Sequence, residues 1–265
     1  MIGQLKLINK LNSYNIDTFP RSVMLVGEKG IGKHTVANYL RDNIIKLPLI
    51  DMTENLSDEY IDQVYRNPNP AIYMINISDI VEKTQNVILK FLEEPPNNAF
   101  IIILAEHRNL VLNTVLNRCV IFEFESYSKS ELLQFVPEGV EDKSILEILK
   151  TPGKLLNTNL KTYKEGKELC NKIITKMHLA SFPNALSIAG KINYKDEYDK
   201  IDLELLFDLL CFSLVSSYKE NNNIKLLEMY LLTRDFRESL LDKRVNKQLL
   251  FENYLSELWM LVRGE

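Results

Sequence analysis

The chain has 265 residues, 46% of them hydrophobic and 26% charged, with a formal net charge of −4. That length points to two or three domains of an ordinary globular protein. The acidic balance excludes a global electrostatic pull toward nucleic acid, so any DNA contact has to be local or belong to a partner. Cys119, Cys170 and Cys211 are scattered and form no C-x-x-C pair, which argues against both a disulfide framework and a zinc module. No apolar run is long enough to span a bilayer, and the first residues carry no signal-peptide pattern. A cytoplasmic location without a membrane partner is expected.

In chain order, Ser22–Val26 is a short apolar strand. The segment that follows carries Gly27, Gly30, Gly32 and Lys33, and meets the pattern G-x-x-x-x-G-K-[ST] except at His34. Glycines in such a loop let backbone N–H groups turn inward to cradle phosphates, and the lysine reaches the outer phosphates. The hydroxyl after the lysine ordinarily coordinates Mg²⁺, a hard cation for which imidazole is a poor ligand. Thr35, the next hydroxyl, counts with Gly27, Gly30, Gly32 and Lys33 as a candidate nucleotide-binding residue, at the start of the helix over Thr35–Leu40. This strand, loop and helix therefore read as a degenerate phosphate-binding loop. Its residues are compatible with ATP or ADP, and no cofactor is required.

Further strands are expected over Leu47–Met52, over Ala71–Ile77 bounded by Pro68 and Pro70, over Ala99–Leu104 and over Val120–Phe124. Between them, Val81–Leu92 has helical spacing and is stopped by Pro95 and Pro96. Strands alternating with helices predict a parallel α/β sheet. From Ser126 the character changes. Ser128 and Glu131 form a capping box, short helices follow over Ile145–Leu149 and from Gly153, and Thr151-Pro152 breaks between them. From Lys161 onward the pattern is helical. Leu203–Phe212 is apolar nearly all round, as in a buried bundle helix, Asn221–Asn223 is a loop, and Leu249–Val262 is a final amphipathic helix. The expected domains are 1–125, a P-loop α/β domain, 126–160, a helical lid, and 161–265, a helical domain.

Three segments together resemble the AAA+ subunits of the bacterial replicative clamp loader. They are the P-loop and its helix, the run Asn86–Pro96 ending in L-E-E-P-P, and Val115–Cys119, where Asn117-Arg118-Cys119 is similar to the family's S-R-C motif. The segment Arg244–Leu255 also resembles the last helix of the family's collar domain. The resemblance implies a AAA+ fold with parallel sheet, lid and helical collar. The implied partners are other clamp-loader subunits of motor and delta-like kinds, a sliding clamp, and primer–template DNA reached through the assembly.

The departures from the family pattern cluster on chemistry. The family's ATPase subunits end the second of these central strands in Asp-Glu, for metal and for the attacking water. Here those positions hold Asn76 and Ile77, with Asp79 beyond them read as a helix cap. The sensor of the γ-phosphate falls at Ala105-Glu106, and neither side chain can donate a hydrogen bond to phosphate. The lid reads Thr151-Pro152-Gly153-Lys154, a form nearer the family's delta-prime subunits than its motors. The resemblance thus implies a subunit that does not hydrolyse ATP. It also implies that Arg118, followed by Cys119, acts as an arginine finger in a neighbour's site; the alternative is an exposed arginine before a strand, solvated or salt-bridged. A weak motor subunit and a stand-alone P-loop kinase or NTPase are the rivals.

Other residues carry less. Cys119 fits a small buried apolar residue. His34, His107 and His178 show no metal-ligand spacing, and Glu93 and Glu94 point apart on their helix. Lys161, Lys164, Lys167, Lys172 and Lys176 read as a solvated face.

Overall fold

The computed structural model describes residues 3–66, 69–80, 82–97, 99–193, 200–242 and 244–264. The chain divides into two compact units, Met1–Leu156 and Asn157–Glu265.

In the first unit the elements run α1 (Leu5–Asn12), β1 (Ser22–Val26), α2 (Lys33–Tyr39), β2 (Leu49–Asp51), α3 (Asp58–Arg66), β3 (Ala71–Asn76), α4 (Glu82–Gln85), α5 (Val87–Glu93), β4 (Ala99–Ala105), α6 (Asn113–Leu116), β5 (Val120–Glu123), α7 (Lys129–Leu132), α8 (Ile145–Ile148) and α9 (Pro152–Asn157). The five strands form one parallel sheet in the order β2-β3-β4-β1-β5. All seven residues of β4 and all five of β1 are buried. Their unbroken apolar runs follow from position, because a parallel sheet covered by helices on both faces has no wet side. Alternate residues serve opposite layers. Val23, Leu25, Ile102 and Leu104 pack with Leu11, Val36 and Leu40. Met24, Ile101 and Ile103 pack with Ile61, Ile88, Phe91 and Val115.

Two expectations change. The helix expected over Val81–Leu92 is two helices, α4 and α5, separated at Asn86. Asn86 is a poor helix former, and beyond it α5 buries Ile88, Phe91 and Leu92. Val81, Pro68 and the side chain of Asp79 lie outside the described residues. Beyond α2 the chain continues as a wider π-type turn over Leu40–Ile45, closed by Lys46 at φ 59°. The capping box at α7 forms as expected, with Ser128 Oγ accepting from the Glu131 amide and the Glu131 carboxylate accepting from the Ser128 amide.

The second unit contains α10 (Leu160–Lys176), α11 (Phe182–Leu186), α12 (Leu203–Asn221), α13 (Ile224–Ser239) and α14 (Lys247–Arg263). One two-residue parallel ladder, Ile192–Asn193 with Ile201–Asp202, is an addition to the helical pattern. Asn159, Asp202, Asn223 and Asn246 each accept a first-turn amide with the side chain, so the four long helices start on a polar cap. Leu206, Phe207, Leu209, Leu210 and Leu214 of α12 are buried as expected, with the Phe207 ring edge-on to Phe251 and Tyr254 of α14. Tyr254 and Thr233 share a hydrogen bond of 3.0 Å inside that core, and Thr233 Oγ1 also donates to the Met229 carbonyl. By contrast α13 buries only Met229 and Thr233, and Ile224 and Leu231 are exposed.

Candidate functional site

The phosphate-loop residues leave the sheet at its carboxyl edge, where β1 sits between β4 and β5 and the next strand in sequence lies at the far side. This is the switch point of an open α/β sheet, where such folds place their ligands. The Gly27 amide donates to Ala105 O at 3.0 Å and the Phe124 amide to Val26 O at 2.9 Å, so the loop is anchored to both neighbouring strands. Gly32, at φ 110°, turns the chain into α2, a conformation L side chains rarely adopt. Lys33 is buried, and its ammonium donates to the Gly27 carbonyl and, at 3.1 Å, to the Glu28 carbonyl. Gly27, Gly30, Gly32 and Lys33 thus fold as one loop. His34 and Thr35 are both exposed on the first turn of α2.

The neighbouring strand ends carry no acid pair. Asn76 is half-buried and its amide donates to Thr53 Oγ1 at 2.9 Å. Ile77 is 2% exposed and belongs to the apolar layer behind the sheet. At the end of β4 Ala105 is buried, and the Glu106 amide donates to Ser78 Oγ at 2.8 Å. Thr53 and Ser78, which the sequence reading did not single out, stitch the ends of β3 and β4. Their only signal was a hydroxyl one or two residues past an apolar run.

The turn Thr151–Gly153 contributes a contact that the sequence reading also missed. Thr151 Oγ1 donates to Lys29 O at 2.9 Å and the Gly153 amide donates to Gly30 O at 2.8 Å. Tyr127 closes the same loop from another side, its hydroxyl 3.3 Å from Ile31 O. Gln4 braces the base of that segment by accepting from the Glu125 amide and donating to its carbonyl.

Arg118 lies elsewhere. β5 runs parallel to β1, with Val120 beside Val23 and Glu123 beside Val26. Arg118 therefore precedes the sheet's amino-terminal edge, whereas the loop leaves from the carboxyl edge, about 10 Å or more away along the strands. Its guanidinium donates to Thr114 O at 2.6 Å and to the Glu93 carboxylate. Glu93 is the last residue of α5, so the L-E-E-P-P and N-R-C segments meet in this one ion pair. Glu94 turns away, its carbonyl accepting from the Tyr65 hydroxyl at 2.8 Å. Cys119 packs against the apolar layer, and burial pushes its thiol up to about 12. Among the described residues no group of three or more His, Cys, Asp or Glu is placed to hold a metal, and no helix is long and apolar enough to cross a membrane.

The architecture defines a AAA+ type P-loop protein. The solved structure of the Thermotoga maritima RuvB Holliday junction branch migration motor superposes with a TM-score of 0.50 and 15% identity, covering 99% of this chain and 88% of that one. A family described as "DNA polymerase III, delta subunit" matches residues 46–128. DNA polymerase III subunit delta' of Buchnera aphidicola subsp. Baizongia pistaciae (strain Bp) is 23% identical over 99 residues, 37% of this chain and 30% of that protein. DNA polymerase III subunit gamma of Buchnera aphidicola subsp. Acyrthosiphon pisum (strain APS) is 21% identical over 171 residues, 51% of this chain and 47% of that protein. The chain thus spans less than half the length of the curated relatives it matches. Within its fold class, this chain is similar over part of its length to clamp-loader subunits of DNA polymerase III.

Proposed function

We propose that this chain is a delta-prime-like clamp-loader subunit that does not hydrolyse ATP. The observation that carries the reading is the strand end at Asn76 and Ile77. An amide stands where the metal-binding acid belongs, and a 2%-exposed aliphatic side chain stands where a carboxylate would orient water. His34 removes the metal-binding hydroxyl from the same site.

In this reading residues 1–125 form the AAA+ domain, 126–160 the lid and 161–265 a collar. The collar joins motor and delta-like subunits, and α13 offers it apolar side chains at Ile224 and Leu231. The assembly opens a sliding clamp and loads it on primer–template DNA in the cytoplasm. Arg118, at the edge opposite its own loop, serves a neighbour's ATP site by placing a fixed positive charge where negative charge develops.

The test is steady-state ATPase on the full chain beside its Lys33→Ala variant, then on the complex it forms with co-purified partners. The expected result is turnover equal to the variant when alone, and DNA-stimulated turnover in the complex. Turnover by the chain alone, abolished in Lys33→Ala, would instead make it a weak motor. The likeness to the gamma subunit over 171 residues keeps that alternative in view.

A further inference from the structure

The loop and the lid touch backbone to backbone. A methyl group built on Gly153 would lie 2.7 Å from Gly30 Cα and 2.9 Å from Gly30 O. One built on Gly30 would lie 2.8 Å from Thr151 Oγ1 and 2.9 Å from Lys154 N. So not even one carbon fits between the crest of the loop and the first turn of α9. The contact is also bonded rather than merely close. Thr151, 1% exposed, gives its hydroxyl to Lys29 O, and Gly153 gives its amide to Gly30 O. Both carbonyls belong to the loop, and both donors come from a turn more than 120 residues away.

We propose that the partner of this phosphate loop is the chain's own Thr151–Gly153 turn, and that this turn latches the lid shut against nucleoside triphosphate. A nucleotide bound between loop and lid needs a layer of atoms where the two glycines now meet. Opening that gap breaks two hydrogen bonds and uncovers a threonine hydroxyl, costs that a weak ligand does not recover. Glycine at 153 is what permits the approach, since any side chain there meets backbone that cannot swing aside. The inference concerns the isolated chain and does not depend on the clamp-loader reading.

Gly153→Ala tests it. Residue 153 lies outside the positive-φ region, so alanine suits its backbone and acts through the clash alone. A fluorescent ATP analogue is titrated into the full chain with Mg²⁺, and amide exchange is followed over residues 28–33 and 151–157. The wild type is expected to show a protected Gly153 amide and no saturable binding below about 1 mM. Gly153→Ala is expected to lose that protection and to gain at least about tenfold in affinity, a gain that Lys33→Ala removes. Thr151→Val, nearly isosteric and without the hydroxyl hydrogen bond, is expected to move both readouts the same way by less, and serves if the first variant misfolds. Wild-type binding with the Gly153 amide still protected would overturn the latch. So would faster exchange in either variant without any gain in affinity.

Discussion

Glu93 and Arg118 are joined in an ion pair that ties the end of α5 to the approach to β5, with Thr114 O holding the other side of the guanidinium. The side chains remain 50% and 32% exposed, so solvent screens the pair and its contribution to stability is small, about 0–1 kcal/mol.

Arg118→Ala should therefore leave the melting temperature nearly unchanged. In an assembled complex it should slow hydrolysis at one motor site, where such a finger is worth roughly 10³–10⁵ in rate, so total turnover falls only partly. Arg118→Lys should rescue poorly, because a point charge does not reproduce the planar fork. Glu93→Gln breaks the pair while keeping the guanidinium and should retain turnover. Equal ATPase in wild-type and Arg118→Ala complexes would rule the finger out.

Restoring the missing acids should fail for a structural reason as well as a chemical one. Ile77 is packed in the apolar layer behind β3, so Ile77→Glu places a carboxylate in a dry site. The variant should lose about 2 kcal/mol or more of stability, read by urea denaturation. The triple change with Asn76→Asp and His34→Thr should still show no turnover, since groups acting as a unit do not add singly. A stable, active triple variant would contradict both statements.

In the helical unit, Thr233→Val should cost more than Tyr254→Phe. Tyr254 is wholly buried and, without its partner, keeps a hydroxyl in the apolar interior, a loss of about 1–3 kcal/mol. Removing the phenol oxygen instead leaves Thr233 Oγ1 still donating to Met229 O at 2.6 Å, so the cost should be nearer 1 kcal/mol. Chemical denaturation of the two variants orders them.

The Cys119 thiol makes the fold sensitive to alkali. Its burial raises it to about 12, against about 8.5 for a free thiol. Between those values the unfolded chain gives up its proton first, so this contribution is complete below about 8.5 and is lost as pH rises toward 12. Burial raises the Cys170 thiol in the same direction. The melting temperature should fall across that window, and less steeply in Cys119→Ala. Iodoacetamide should label Cys119 at pH 8 far more slowly in the native chain than in urea.

The strands were the most legible part of the sequence, for a reason particular to this sheet. Buried on both faces, Ala99–Ala105 and Val23–Val26 are apolar without interruption, and only the strand ends differ by a residue or so. The capping box at Ser128 and the buried helix from Leu203 were equally readable, because each is a local pattern. Asn86 was not, since an asparagine weakens a helix without the plain signal of a proline or glycine. The phosphate-loop glycines declared themselves by spacing. Their contact with Thr151 and Gly153 did not, nor did that between Glu93 and Arg118, because a hydrogen bond between residues 25 to 123 positions apart leaves no periodic trace.

The strand order also dictates when the chain can fold. Among the described residues β1 pairs only with β4 and β5, so Val26 has no strand neighbour until Ala105 or Glu123 has been made. During synthesis, at roughly 5–20 residues per second, the apolar stretch Val23–Val26 waits several seconds for its partners. For that interval the nascent chain presents an unpaired, fully apolar strand while β2 and β3 can already meet. A ribosome stalled before residue 99 would hold a segment fit for chaperone capture, and release from that hold would come with β4.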